Sequence, residues 1–309
     1  MCQPAGDMGG FAVLGPGGVG GFLAAALALA GEPVTVVARE KAVEAISRDG
    51  IEIRSRVLGD ALARPRAAVA ALTEPVDVLF IATKATSLAQ ALDRIVAQPE
   101  IVVPLLNGLD HLDLLRARFG RERVPAAVIR IESDRPEAGR IVQTSPTARI
   151  DLAAADAGLS ARLPGVARAL TAAGLEVRIG RSEHDVMWSK LIRLNALAST
   201  TSVADRPLGS IRSDPWWRGR LIACVEEGAA VAAADGAGIA ARDTLAELDA
   251  AHASLGSSMQ RDLAAGRTPE LDAIQGSVLR AAARHGLDCP TIRSLAAAIA
   301  ARAGLPVPA

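Results

Sequence analysis

Residues 11–40, FAVLGPGGVGGFLAAALALAGEPVTVVARE, constrain what this chain can fold into more than any other stretch. An apolar strand pattern, Phe11 to Leu14, runs into a glycine turn. An alanine-rich helix from about Val19 to Ala30 follows, and then a second strand pattern from Val34 to Ala38. This is a βαβ unit, and its turn holds Gly15, Gly17 and Gly20 in GxGxxG spacing. The first glycine allows a sharp turn, the second lets backbone N–H groups approach a pyrophosphate, and the third lets helix pack on strand. The candidate cofactor loop is therefore Gly15, Pro16, Gly17, Gly18, Val19 and Gly20.

Strand ends downstream extend the pattern. After the second strand stands Arg39, suited to the 2′-phosphate of NADP; the competing assignment makes Arg39 a solvated charge and gives Glu40 to the ribose of NAD. The runs VDVLFIATKATSL and IVVPLLNGLD end near Lys84 and Asn107-Gly108. In an open parallel sheet ligands bind beyond the carboxyl ends of strands. That makes Lys84 and Asn107 candidates for the nicotinamide and substrate edge, although position alone favours reading Asn-Gly as an ordinary turn. Further strands (VPAAVIRIE, GRIVQT, ARIDLA, LEVRIG) and a helix near 160–173 complete a first domain. The expected division is 1–180 and 181–309.

From Glu183 on, the pattern is helical: about 183–203, 214–237, 241–265, 268–285 and 291–303, separated by breaks such as ADRPLGS, GAGI, AGRTP and HGLDCP. The fold class is thus α/β, an N-terminal Rossmann-type domain followed by an all-helical C-terminal domain. Within the first helix, Val186, Met187, Leu194 and Leu197 fall on the same side as Lys190. Of 34 lysines and arginines only Lys41, Lys84 and Lys190 are lysines. A lysine among apolar neighbours either snorkels to water or lines a cleft as a tunable acid. Further on, Thr268-Pro269-Glu270 reads as a helix start, with Thr as N-cap and Pro first, which by itself accounts for Glu270.

Composition removes several classes. Net charge is +0 and no basic run exists, so a nucleic-acid footprint is missing. Tyrosine is absent, so any proton donor is Lys, His, Asp or Glu. Cys2, Cys224 and Cys289 are scattered without a CxxC pair, which points to neither disulfides nor a metal site and fits a cytoplasmic protein. The uncharged run from Gly9 to Gly31 imitates a membrane span or signal peptide, yet no Lys or Arg precedes Arg39 and the glycines have another use. The expected partners are a small molecule and, through spare apolar surface on the helical half, a second copy in a homodimer.

Taken together, these motifs resemble the ketopantoate reductase (2-dehydropantoate 2-reductase) family. They are Gly15 to Gly20, Arg39, Lys84, Asn107-Gly108, Trp188-Ser189-Lys190-Leu191, and Ser257-Ser258-Met259 followed by Asp262, Gly266-Arg267, Glu270, Asp272 and Gly276. The resemblance implies reduction of a 2-oxo acid to a 2-hydroxy acid with NADPH, here 2-dehydropantoate to pantoate as in pantothenate biosynthesis. It implies Lys190 as general acid, with Glu270 contacting Lys190 or the substrate hydroxyl. Ser258 would hold the substrate carboxylate, Lys84 and Asn107 would line nicotinamide and substrate, and Arg39 would meet the 2′-phosphate. No metal is implied.

One departure bears on the substrate. The family commonly carries asparagines four and eight residues after the lysine; here those positions are Leu194 and Ala198. Asn195 lies about 140° from Lys190 in a regular helix, so only a helix irregularity would bring it round. The identity of the 2-oxo acid therefore stays open. A β-hydroxyacid dehydrogenase-like enzyme and a non-catalytic NADP-binding sensor are the rival functions, the former disfavoured by the serine-to-Glu270 segment.

Overall fold

The computed structural model describes residues 10–308; Cys2 lies outside them. The chain divides into two compact units. One runs to Leu106 and resumes over His111–Glu183; the other takes Asn107–Asp110 and everything from His184 on. The sequence pattern suggests one cut at 180/181. Four residues, 107–110, which follow the edge strand that ends at Pro104, instead group with the helices.

In the first unit, β1 (Phe11–Leu14), α1 (Gly18–Leu29), β2 (Val34–Val37) and α2 (Glu40–Asp49) build the expected βαβ start. Then come β3 (Ile51–Ser55), β4 (Gly59–Ala63), β5 (Ala67–Val69), β6 (Val78–Ile81), α3 (Leu88–Leu92), β7 (Ile101–Pro104) and α4 (His111–Phe119). The unit closes with β8 (Ala126–Arg130), β9 (Ser133–Glu137), β10 (Arg140–Gln143), β11 (Arg149–Ala153), α5 (Ala157–Ala172) and β12 (Glu176–Ile179). The main sheet has the order β5-β2-β1-β6-β7 and is parallel throughout, with Phe11 opposite both Val34 and Val78. β1, β6 and β7 are buried at every residue, as strands covered on both faces must be.

A second sheet, β4-β3-β10-β9, has β3, β4 and β9 as strands with no counterpart among the expected elements, as has β5 in the main sheet. It lies against α1, which meets β1 and β2 of the main sheet as well. Phe22, Leu23 and Leu27 are fully buried there, and α1 is apolar all round because Gly20 to Leu27 are all buried. That burial explains the uncharged run without a bilayer. Close approach of the second sheet also explains the surplus glycines. A Cβ on Gly18 would stand 2.3 Å from the Ser133 carbonyl oxygen, and one on Gly21 2.3 Å from Ile141 Cδ1.

The second unit is helical: α6 (Glu183–Ala204), α7 (Leu208–Ser213), α8 (Pro215–Ala234), α9 (Ala241–Ala250), α10 (Ser258–Ala264), α11 (Ser277–Arg284) and α12 (Pro290–Ala303). Its core gathers Trp188, Ile192, Leu221, Val225, Ile274, Val278 and Ile292. α8 begins with Asp214 accepting from the N–H groups of Trp216 and Trp217 and with Pro215 at the first turn. Cys224 and Cys289 are free thiols inside this core; burial pushes Cys289 up to about 11 and Cys224 higher.

Three helical expectations need correction. The stretch 241–265 is two helices, because residues 251–257 are not helical and Ser257 caps α10 by accepting from Gln260 N–H. Ser257 therefore precedes that helix rather than sitting within it. Residues 267–270 are not helical: the Glu270 carbonyl accepts the Ile274 N–H, and helix proper starts at Leu271. Part of the ADRPLGS break is itself helical, as α7.

Candidate active site

The candidate cofactor residues sit at the carboxyl ends of β1, β2 and β6. Gly15 has φ +89°, a left-handed conformation that favours glycine, and a Cβ there would meet Thr83 Cγ2 at 2.8 Å. A Cβ on Gly20 would fall 2.2 Å from the Gly15 carbonyl, so helix start and strand end touch. Gly17 differs, since nothing stands within 4 Å of its Cβ position. It is the N-cap of α1, with no side-chain cap and no acidic residue in the first turn. Pro16, Gly18 and Val19 complete this loop. An uncapped helix start with open space at its N-cap suits a pyrophosphate, which the N–H groups and helix dipole attract.

Arg39 is exposed immediately after β2 and precedes the first turn of α2. Glu40 beside it faces Arg94, whose Nη1 lies 3.5 Å from Glu40 Oε1. Lys84 is exposed just beyond β6, ahead of a 3-10 turn over Ala85–Ser87. These residues can hold the phosphates and ribose of a dinucleotide.

In the helical unit, three sequence-distant residues form one chain. Lys190 Nζ donates to Asn107 Oδ1 at 2.8 Å, and Asn107 Nδ2 donates to Glu270 Oε2 at 3.0 Å. All three are half-buried. α6 carries Lys190 and is anchored two residues earlier by Trp188, which is fully buried and donates Nε1–H to Asp235 at 2.8 Å.

Asn107 owes its position to Gly108, which is no ordinary turn glycine. Its φ is +89°, and a Cβ there would lie 2.0 Å from the Ala273 carbonyl oxygen. Ala273 belongs to a π-helical turn over Asp272–Gly276, where Ser277 N–H reaches back five residues to the Asp272 carbonyl. Ser277 Oγ in turn donates to the Ala273 carbonyl at 2.7 Å. Such π-turns are rare and cluster at functional sites. Arg280 closes the strap: Nη2 donates to Asp110 at 2.6 Å and Nη1 to Asp272 at 2.7 Å. Segment 107–110 is thereby bound to the turn that follows Glu270.

Ser258 stands apart from this chain. It opens α10 with an exposed side chain, and no hydrogen bond joins it to Lys190, Asn107 or Glu270 among the described residues. Ser257 is the buried one, with its Oγ also bonded to Thr201 at 2.9 Å. α6 is a continuous α-helix, so Asn195 is not turned toward Lys190. It is fully buried, and neither of its side-chain polar atoms has a partner among the described residues. Leu194 is half-buried and Ala198 buried.

Sequence patterns do not disclose Arg94, Ser133 or Arg280. Ser133 donates from Oγ to the Gly18 carbonyl at 2.8 Å. Arg280 stands eight residues beyond Asp272, a spacing that only hints at a bridge. Among the described residues, no three or more His, Cys, Asp or Glu side chains cluster to hold a metal, and no helix is long and apolar enough to cross a membrane.

A glycine turn leading into an uncapped helix start in the parallel-sheet unit, and a lysine bonded to an amide that in turn bonds a carboxylate in the helical unit, fit one class: an oxidoreductase that uses a nicotinamide dinucleotide. Comparison with known proteins narrows it. The family model "Ketopantoate reductase PanE/ApbA" matches residues 11–157 and its C-terminal counterpart residues 184–303, so the chain belongs to the ketopantoate reductase family, which acts on small 2-oxo acids. It is 31% identical over 294 residues to the "Uncharacterized oxidoreductase YkpB" of Bacillus subtilis, covering 92% of this chain and 96% of the relative. It is 30% identical over 290 residues to a 2-dehydropantoate 2-reductase of Caulobacter vibrioides, covering 92% and 95%. Among solved structures, D-mandelate dehydrogenase with NADH and anilino(oxo)acetate superposes with a TM-score of 0.87 at 19% identity, over 95% of this chain and 98% of that one, a likeness of fold.

Proposed function

We propose that this protein reduces the carbonyl of a small 2-oxo acid to a 2-hydroxy acid with NADPH, with 2-dehydropantoate as the leading substrate. The observation that carries this reading is the Lys190–Asn107–Glu270 chain. When bound, the nicotinamide supplies the hydride. Addition to the carbonyl carbon puts negative charge on oxygen, and the Lys190 ammonium stabilises that charge and gives the oxygen a proton. Asn107 and Glu270 hold Lys190 in place, and Glu270 is the carboxylate available to the substrate hydroxyl. The exposed hydroxyl of Ser258 is the proposed contact for the substrate carboxylate, and Lys84 and Asn107 the proposed contacts at the nicotinamide edge.

NADPH over NADH rests on Arg39, a planar cation at the position where an acid would serve the ribose of NAD. The D-mandelate dehydrogenase neighbour was solved with NADH, so both cofactors belong in the assay. Substrate choice turns on α6. With Leu194 and Ala198 after Lys190, and Asn195 buried elsewhere, this helix offers the substrate side chain no amide, which makes 2-oxo acids with apolar side chains the natural competitors of 2-dehydropantoate.

The test follows NADPH and NADH oxidation with 2-dehydropantoate and a panel of 2-oxo acids, for wild type, Lys190→Ala and Arg39→Ala. Turnover should fall at least about a hundredfold in Lys190→Ala, and Arg39→Ala should weaken NADPH far more than NADH. Tight NADPH binding with no turnover of any acid would make the protein a sensor. Turnover indifferent to Lys190→Ala would remove this mechanism.

A further inference from the structure

We propose that Arg94 is a second determinant of cofactor choice: it takes up the charge of Glu40 and so keeps the ground beside Arg39 positive for a 2′-phosphate. The inference rests on the NADPH reading above. Arg94 follows α3, far in sequence from the β2 end, yet its Nη1 donates to the Ala70 carbonyl at 2.9 Å and to the Ala38 carbonyl at 3.3 Å. Ala38 precedes Arg39, and Ala70 follows β5, the strand next to β2. Two carbonyls thus fix the guanidinium beside the segment that carries Arg39 and Glu40, and it lies 3.5 Å from Glu40 Oε1.

Glu40 is what makes this arrangement matter. Its carboxyl is held below the usual carboxylate range, first by its own backbone N–H and then by the charge of Arg94, so it is ionised at neutral pH. Left uncompensated, a carboxylate one residue from Arg39 would compete for that guanidinium and repel a dianionic phosphate. It would also be free to accept from the ribose hydroxyls, the contact that favours NAD. Arg94 is 27% exposed and Glu40 71%, so the acid is the mobile partner and the arginine the fixed one. A planar cation held by two carbonyls loses little further freedom in capturing the carboxylate.

The experiment measures Kd, KM and kcat with NADPH and NADH for the full chain as wild type, Arg94→Met, Glu40→Gln and the double variant. Arg94→Met should cut the NADPH:NADH preference by about tenfold, through Kd and KM for NADPH with kcat little changed. Adding Glu40→Gln should return the preference to within about threefold of wild type, whereas Glu40→Gln alone should move it by less than about twofold. Rescue by Glu40→Gln is what a brace for the strand ends would not produce. If Arg94→Met weakens both cofactors equally and Glu40→Gln restores nothing, the proposal is overturned. Should Arg94→Met fail to fold, Arg94→Gln keeps a donor for the Ala70 carbonyl and carries the same expectations. A wild type that prefers NADH would remove the NADPH reading and this one together; an NADPH preference untouched by Arg94 removes only this one.

Discussion

Lys190 donates to Asn107 across 83 positions of sequence, at 2.8 Å, and the charges beyond the amide decide which way it points. A lysine ammonium only donates and a carboxylate only accepts. The Asn107 carbonyl oxygen must therefore face Lys190 and its NH2 group Glu270, as observed. The amide thus bridges the lysine and the carboxylate, accepting from one and donating to the other.

Replacing Asn107 tests this directly. Asn107→Ala should lower kcat/KM by about a hundredfold through misplacement of Lys190, at a cost in folding stability of about 1–2 kcal/mol. Asn107→Asp should be worse for activity, because a second carboxylate beside Glu270 has no hydrogen to donate to it. Steady-state kinetics and thermal melts separate the two effects. A kcat/KM within twofold of wild type for Asn107→Ala would take the residue out of the site.

Gly108 should be far less replaceable than its conformation alone implies. Gly108 at φ +89° and Gly286 at φ +65° are both left-handed, but a Cβ on Gly286 meets nothing within 4 Å. Gly286→Ala should cost roughly 1–2 kcal/mol, the ordinary penalty for that region. Gly108→Ala adds a clash with the Ala273 carbonyl and should exceed about 3 kcal/mol or shift the strap. Urea unfolding reads the difference, and only Gly108→Ala should also impair turnover. Equal losses would mean the strap yields at no cost.

These residues also mark how far sequence reasoning reaches. The βαβ start is legible because its signals are local: strand, glycine spacing and helix follow within 30 residues. Lys190 is legible because lysine is rare here. Asn107 and Glu270 are each explained by a local alternative, a turn and a helix start, and only three-dimensional contact joins them. Arg94 is invisible, since arginine is this chain's default cation and two of its partners are backbone carbonyls that carry no sequence identity. The second sheet hides for a related reason. β3 pairs with β10, nearly ninety positions away, so its clearest signature is the surplus glycines of α1, which the dinucleotide motif already explains in part. The π-turn after Glu270 is set by the packing of Gly108 and by Ser277, and neither is a local helix signal.

Acid should release the anchor of α6. Burial raises the pKa of Asp235, but hydrogen bonds from His285 and Trp188 and the charges of Arg284 and His184 outweigh it, leaving the carboxyl below its usual range. A group depressed on folding stabilises fully above its unfolded pKa, about 3.9 for Asp, and that contribution is lost as pH falls through the lower folded value. Asp235→Asn should therefore be less stable than wild type by about 1–3 kcal/mol at pH 7, and the gap should narrow below about pH 4 as the wild-type carboxyl gains its proton. Urea midpoints at several pH values measure it; a gap independent of pH down to acid unfolding would contradict the charge's role. Because Asp235 holds Trp188 at 2.8 Å, two residues before Lys190 on α6, its loss reaches Lys190 through the helix. Asp235→Ala, which also removes the acceptor for the indole N–H, should therefore lower kcat more than Asp235→Asn does.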